Sequence, residues 1–226
     1  IAGGNKAITR DVEGAEDDYE AGARALARLR PGAKDVVIGV SASGMTPFVR
    51  GALSRARKAG ARIVFVTCFP GTELQTFVDL TIAPAVGPEV IAGSTRLKAG
   101  TATKIVLNML TTGAMVRTGK TYGNLMVDLK TGSEKLKDRA RRILTFVSDI
   151  DYDTADRLLK RAHWNVKAAI VMQKTGLPFR QALSKLRQAD SSVRAAIDED
   201  AEPRLRQLLG SRAGDPDKEK EREKEK

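Results

Sequence analysis

Three hydroxyl side chains and a glycine follow an apolar run in the segment "SASGMT". Ser41, Ser43 and Thr46 can each donate a hydrogen bond to a phosphate oxygen, and Gly44 allows the backbone to approach a ligand closely. The N–H groups and dipole of a helix that starts after this segment also favour an anion. The segment therefore predicts a phosphate cradle that needs no lysine. A serine-rich turn that caps the helix explains the same residues equally well.

A second polar segment, "GPEVIAGSTRLKAGTATK", lies between a predicted strand and a long apolar helix. It holds a carboxylate, two hydroxyls and two cations, at Glu89, Ser94, Thr95, Arg96 and Lys98. Cations suit a phosphate, and hydrogen-bonding side chains suit sugar hydroxyls, so this composition is typical of a site for a phosphorylated sugar. A solvated loop with ordinary helix capping is the alternative, and it fits less well because both flanks are apolar.

A third segment, "VEGAEDD", contributes acidic side chains. We predict a helix here, on which Glu13 and Glu16 lie about one turn apart and share a face. Acidic residues in a first helical turn often only complement the helix dipole. A carboxylate beside a sugar can instead act as a general base. The residues alone leave both interpretations open.

The elements that must position these segments alternate between strand and helix. A short β-branched strand without alternation, which indicates burial on both faces, is predicted at "DVVIGV". The next buried strand is predicted at "RIVFVTCF" and a third strand at "LTIAPAV". Helices are predicted over 11–29, 46–60, 70–79 and 95–119, and the last of these is apolar on nearly all sides, which indicates burial. The alternation predicts an α/β fold with three layers, α/β/α, around a parallel sheet. Ligands of such sheets bind beyond the carboxyl ends of the strands.

The remaining sequence is predicted to be helical. Helices are expected over 133–149, 153–162, 165–175 and 178–188, with Asp153 and Asn165 as N-caps. We therefore expect an α/β domain over 1–147, a small three-helix module over 148–212 and a charged, disordered tail over 213–226.

Composition excludes several classes of partner. The formal charge of +11 suggests nucleic acid, but the basic residues are interleaved with Ala and Leu at helical spacing and no DNA-reading motif accompanies them. No apolar run reaches the roughly 18 residues of a membrane span. The single Cys68 is typical of a reducing compartment. We expect a cytoplasmic protein without nucleic-acid or membrane partners, and we assign no cofactor and no metal.

Six segments together carry a resemblance: "AGG", "EGAEDD", "SASGMTP", "GPEVIAGSTRLKAGTATK", "LNML" and "GNLMVD". They resemble the N-acetylmuramic acid 6-phosphate etherase family, which is built on the sugar isomerase (SIS) fold and is related to glucokinase regulatory protein. The resemblance runs from Ile1 to about Lys135 and continues more loosely through the helical tail. There "WNVKAAIVM" is similar to the ubiquitin-associated-like three-helix module of these etherases, which we expect to pack the dimer rather than to bind ubiquitin.

The resemblance implies a reaction and a set of roles. The family cleaves the D-lactyl ether of N-acetylmuramate 6-phosphate, by elimination and then hydration, to N-acetylglucosamine 6-phosphate and D-lactate during recycling of cell-wall amino sugars. Glu16 is then the base that removes the proton on carbon 2. The hydroxyls of the "SASGMT" segment hold the 6-phosphate, the polar side chains from Glu89 to Lys98 bind the sugar, and the protein is a homodimer.

Some features of the chain depart from the family. It opens with "IAGG" and without a methionine, so we expect that the family's proton-donating glutamate and its "GTSGR" loop precede Ile1. The family commonly has arginine where Met45 stands and asparagine where Phe69 stands, which leaves the sugar specificity open. Two other functions are considered: a non-catalytic sugar-phosphate-binding regulator and a SIS-type sugar-phosphate isomerase. The intact "EGAEDD" segment favours the etherase, and the missing proton donor favours a binding-only state.

Overall fold

A parallel sheet with flanking helices organises the first part of the chain. In the computed structural model, which describes residues 2–199, the elements here are a 3-10 turn at Gly4–Ile8, then α1 (Tyr19–Arg28), β1 (Val36–Val40), α2 (Pro47–Lys58), β2 (Arg62–Val66), α3 (Glu73–Phe77), β3 (Leu80–Ile82) and α4 (Lys98–Arg117). β1 pairs in parallel with β2, and β2 with β3. The predicted mixed α/β fold with a parallel sheet is confirmed. The described chain divides into two compact units between Leu110 and Thr111.

α2 packs directly on one face of the sheet. A Cβ added to Gly39 in β1 would lie 2.7 Å from Leu53 Cδ1 and 2.8 Å from Val49 Cγ1 of α2. Leu53 is fully buried there, together with Phe65 of β2. The opposite face of β1, with its alternate valine and isoleucine side chains, is exposed. The prediction that this strand is buried on both faces is therefore wrong, because the described elements cover only one face of it.

α1 and α2 touch backbone to backbone. A Cβ on Gly22 would lie 2.0 Å from the Phe48 carbonyl oxygen, and a Cβ on Gly51 would lie 2.0 Å from the Tyr19 carbonyl oxygen. Any side chain at either position would separate the helices. Close to this contact, the Phe48 N–H donates to the Glu16 carbonyl oxygen over 2.9 Å. The segment before α1 is thereby held at the start of α2.

The acidic segment before α1 is a series of turns. The Asp18 carboxylate accepts a hydrogen bond from the Ala21 N–H over 2.7 Å and caps α1, so the helix begins at Tyr19. Gly14 has a φ of 71°, a conformation outside the right-handed helix. The prediction that Glu13 and Glu16 share a helical face is therefore wrong, because the glycine and the cap delay the start of the helix by about two turns, from residue 11 to Tyr19.

α4 is far more exposed than its composition predicts. Of its residues in the described chain only Ala99 is buried, and Met109 is 69% exposed. Ile105, Met115 and Val116 are exposed by about half. The predicted burial of this helix is therefore wrong for the single chain, which leaves an apolar surface along α4.

The second unit is a hairpin followed by helices. Its elements are β4 (Thr121–Tyr122), β5 (Leu125–Met126), α5 (Glu134–Ser148), α6 (Tyr152–Arg161), α7 (Val166–Thr175), α8 (Phe179–Gln188) and α9 (Val193–Ile197). Asn165 caps α7 as predicted, whereas α6 is capped by Asp151 and not by Asp153. Fully buried side chains of α5, α6 and α7, such as Leu144, Leu159 and Ile170, form one core. The predicted tail over 213–226 lies outside the described residues.

None of the helices in residues 2–199 has the length and apolar character needed to cross a bilayer. No group of three or more His, Cys, Asp or Glu side chains in the same range is arranged to hold a metal ion.

We expect Gly51→Ala to destabilise the protein, because the added Cβ would overlap the Tyr19 carbonyl oxygen at the contact between α1 and α2. Overpacking of this kind lowers the free energy of unfolding by about 1–3 kcal/mol. Gly113→Ala in α4 is the matched control, because a Cβ there meets nothing within 4 Å and helix propensity alone predicts a gain of about 1 kcal/mol. Urea denaturation followed by circular dichroism measures both. Equal midpoints in the two variants would contradict the contact.

Candidate functional site

The loop after β1 is closed by its own hydroxyl groups. Ser41 is only 6% exposed, and its Oγ lies 2.7 Å from Thr46 Oγ1 in a hydrogen bond that either hydroxyl can donate. The Gly44 N–H donates to the same Ser41 Oγ over 3.1 Å. The Cys68 N–H, just beyond β2, donates to the Ala42 carbonyl oxygen over 3.2 Å. These bonds fix the shape of the loop and its position at the carboxyl end of the sheet.

Thr46 stands at the N-cap position of α2 but does not cap the helix with its side chain. Its hydroxyl is hydrogen-bonded to Ser41, and no side-chain cap bond forms. Pro47 follows at the first helical position, where its missing N–H needs no partner. The alternative explanation of this segment was a turn that caps the helix. The hydroxyl of Thr46 does not form such a cap.

Gly44 is required by the loop conformation. Its φ is +79°, and an added Cβ would lie 2.6 Å from Thr72 Cγ2. The sequence predicted that the backbone at Gly44 approaches a ligand closely. In the structure, the backbone at Gly44 lies close to the side chain of Thr72. Ser43, next to it, is exposed and lines open space on two sides of the loop. Among the three hydroxyls of the loop, Ser43 offers the most accessible one for a ligand.

The first cavity, of about 510 Å³, brings residues of all three predicted segments together. Its polar lining comes from the loop, from the acidic segment and from the segment before α4: Glu16, Ser41, Ser43, Thr46 and Thr95. Val37, Leu53 and other apolar side chains form the rest. The Glu16 main chain is held by the Phe48 N–H, while Glu13 lies outside this lining. The cavity can hold a small anion on hydroxyl groups, with a carboxylate beside it.

Glu89 caps the N-terminus of α4. Its Oε1 accepts a hydrogen bond from the Ala99 N–H over 3.0 Å, and its Oε2 accepts one from the Lys98 N–H over 2.9 Å. These two bonds, the one from Ala99 first, lower the pKa of the Glu89 carboxyl below its usual value. Glu89 is therefore ionised at neutral pH. Both carboxylate oxygens are already used as acceptors.

The other predicted sugar-binding side chains are divided. Ser94 lines the second cavity, and Thr95 lines both cavities. Arg96 and Lys98 are exposed, and neither belongs to the lining of these two cavities. The structure thus brings the hydroxyls of this segment to the site and leaves its two cations on the surrounding surface.

The second cavity, of about 690 Å³, adjoins the same loop. It shares Ala42, Ser43 and Thr95 with the first cavity. Much of its remaining lining is apolar: Met45, Phe69, Pro70, Ala85, Val86, Pro88 and Ala99. Sequence reasoning missed most of these residues. Most of them lie at the ends of the predicted strands or just beyond, and this was the available signal, because loops at the carboxyl ends of parallel strands form binding sites.

Comparison with known proteins places the chain among named relatives. The family model described as the glucokinase regulatory protein N-terminal SIS domain matches residues 1–57 of this chain. A protein of Gloeobacter violaceus named N-acetylmuramic acid 6-phosphate etherase is 56% identical over 76% of this chain and 56% of its own length. A protein of Salinibacter ruber with the same name is 50% identical over 88% of this chain and 65% of its own length.

A third relative, N-acetylmuramic acid 6-phosphate etherase 2 of Vibrio cholerae, is 46% identical over 89% of this chain and 66% of its own. The resemblance found in the sequence is confirmed by these identities. The chain spans less than two thirds of the length of each of these three relatives.

Proposed function

We propose that this chain, a homologue of the N-acetylmuramic acid 6-phosphate etherases, acts on N-acetylmuramate 6-phosphate as part of a carbon–oxygen lyase. The reaction releases D-lactate and gives N-acetylglucosamine 6-phosphate, which returns cell-wall amino sugars to metabolism. The observation that carries the proposal is the first cavity, where Glu16 and the hydroxyl-bearing residues of the Ser41–Thr46 loop line the same space. No cofactor is included in this proposal.

The 6-phosphate is proposed to lie on the loop after β1. Ser43 donates to it directly, because its side chain is exposed to both cavities. The hydroxyl pair of Ser41 and Thr46 holds the loop in shape and presents its remaining hydrogen-bonding capacity to the first cavity. Gly44 permits the turn that makes this arrangement possible. The phosphate is thus bound without a cation in the loop itself.

Glu16 is proposed as the general base. Its carboxylate removes the proton from carbon 2 of the open-chain sugar, the bond between carbon 3 and the ether oxygen breaks, and lactate leaves with that oxygen after it gains a proton. Water then adds across the resulting double bond to give the product. Base catalysis needs a carboxylate within reach of the proton, and the lining of the first cavity supports this role for Glu16.

The sugar itself is proposed to contact the segment before α4. Ser94 and Thr95 are suited to hydrogen bonds with sugar hydroxyls because both line the cavities. Glu89 contributes mainly by fixing this segment to the first turn of α4. Arg96 and Lys98 stay predictions as sugar contacts, since their side chains lie outside both linings.

We also propose the finer organisation of the fold. Residues 1–147 are proposed as a three-layer SIS-type domain and residues 148–212 as a ubiquitin-associated-like three-helix module, of which 200–212 lie outside the described residues. α5 at this boundary shares its core with α6 and α7. The match of residues 1–57 to an SIS domain and the succession of α6, α7 and α8 support these assignments. A cytoplasmic location is proposed as well, because the single, buried and free Cys68 is typical of a reducing compartment.

Self-association through α4 is the last part of the proposal. This helix exposes Ile105 and Met109, which lie one turn apart, in the single chain, and large exposed apolar side chains are typical of an interface between subunits. The second copy of this chain is the proposed occupant, which gives a homodimer. The alternatives of a non-catalytic regulator and of an isomerase are not favoured, because the three relatives compared above are all named etherases.

We expect Ser43→Ala to weaken the binding of N-acetylglucosamine 6-phosphate by about 1.5–3 kcal/mol, because one hydrogen bond to a charged phosphate is lost. Isothermal titration calorimetry measures the change in affinity. Ser54→Ala is the matched control, because Ser54 lies on α2 outside both cavities. Unchanged affinity in Ser43→Ala would show that the loop does not bind the phosphate.

Glu16→Gln should abolish the exchange of the carbon-2 hydrogen of N-acetylglucosamine 6-phosphate with deuterated water, because the amide cannot accept the proton. Loss of a general base lowers the rate by about 10²–10⁴-fold. Proton NMR follows the exchange, and calorimetry checks that binding is retained. Glu13→Gln serves as control, because Glu13 lies three residues away and outside the first cavity. Exchange that persists in Glu16→Gln would remove this residue from the role of base.

Sedimentation velocity at micromolar concentration should show a dimer. Met109→Lys should shift the protein toward monomer, since a charge at the centre of an apolar interface is costly to bury. Leu29→Lys, at the exposed end of α1, should leave the dimer intact. A well-folded wild-type monomer under these conditions would contradict the proposed interface.

A further inference from the structure

The second cavity has features that the chemistry assigned to the first cavity does not use. It opens at the carboxyl ends of the strands, where Met45 follows β1 and Phe69 follows β2. Met45 is 75% exposed and Phe69 is 61% exposed, so both present apolar surface that no other part of the described chain covers. Large apolar side chains that line a cavity of this size are typical of a ligand site.

The backbone that carries Phe69 is fixed on both sides. The Phe69 N–H donates to Thr67 Oγ1 over 3.2 Å, and its carbonyl oxygen accepts a hydrogen bond from Gln75 Nε2 over 2.8 Å. The Gly71 N–H donates in turn to Gln75 Oε1 over 3.2 Å. The aromatic ring is therefore attached to a segment whose position is set before a ligand arrives, which lowers the cost of ordering it on binding.

The two cavities meet at Ser43 and Thr95, which line both of them. A ligand whose phosphate is bound by Ser43 can therefore extend into the second cavity with another of its substituents. We propose that the second cavity binds the acyl group on the carbon-2 nitrogen of the 6-phosphosugar, and that Met45 and Phe69 select for an apolar acyl chain. This inference rests on the proposed function, because it takes a 6-phosphosugar as the ligand.

The apolar lining of the second cavity favours one of the two acid-derived substituents of the sugar over the other. The lactyl group ends in a carboxylate, whereas the acetyl group is uncharged and ends in a methyl group. The charge of Glu89 in the lining is countered by backbone N–H groups of α4 and by Lys98, whose Nζ lies 3.8 Å from the position of a Cβ on Gly87. A carboxylate that enters this largely apolar space would lose its hydration. The acyl amide carries no such penalty, and its methyl group suits Met45 and Phe69.

A series of acyl chains tests the inference in the full chain. Calorimetry compares glucose 6-phosphate with the N-acetyl, N-propanoyl and N-butanoyl derivatives of glucosamine 6-phosphate. Each methylene group that enters an apolar cavity should tighten binding about fourfold, since the burial of one CH₂ contributes about 0.8 kcal/mol. The affinity of the wild-type protein should therefore rise along the acyl series.

In Met45→Gln and in Phe69→Asn, each added methylene group should leave the affinity nearly unchanged, at a ratio of about one between successive derivatives. Because the readout is a ratio between ligands in one protein, a general loss of affinity cancels. Leu29→Gln, an exposed apolar position at the end of α1, should keep the wild-type slope. A wild-type affinity that does not change with acyl length, or a slope that survives in both cavity variants, overturns the inference alone. If glucose 6-phosphate and the acyl derivatives all fail to bind, the proposed function fails and this inference fails with it.

Discussion

The direct contact between the backbones of α1 and α2 is the constraint on which the site depends. Gly22 and Gly51 leave no side chain at the crossing, so each helix meets a carbonyl oxygen of the other. The chain therefore enters α1 beside the first turn of α2, where the Glu16 carbonyl oxygen accepts the Phe48 N–H. Since α2 begins where the hydroxyl-rich loop ends, a carboxylate and the proposed phosphate loop come to line one cavity. Bulk at either glycine would act on the site through this geometry.

The sequence predicted the elements whose signals are local. β1, β2 and β3 were predicted from β-branched runs, and Asn165 was predicted as a cap because an N-cap acts within its own turn. The start of α1 was predicted too early. The acidic residues before Asp18 are compatible with a first helical turn, but Asp18 caps the helix, and the helix begins only after it. The hairpin of β4 and β5 was missed, although Gly123 and Asn124 are typical of a two-residue turn.

Burial and residue roles were harder to predict, because they depend on packing over long distances. The composition of α4 indicates an interior helix, but exposure is decided by what packs against it. Within the "SASGMT" segment the sequence offered three equivalent hydroxyls. The structure distinguishes them, since Ser41 and Thr46 bind each other and Ser43 does not take part in that pair. The second cavity could be foreseen only in outline, from strands that end side by side.

Two glutamates line the cavities, and their surroundings argue for different roles. Both carboxylate oxygens of Glu89 accept N–H groups at the start of α4, which stabilises the charged form and lowers its pKa. A carboxylate stabilised in this way is a weak base, because its affinity for a proton is reduced. Glu16 is instead held through its main-chain carbonyl oxygen. Anchoring by the backbone positions Glu16 without using its carboxylate, and this is the arrangement that a residue proposed to accept a proton from carbon 2 requires.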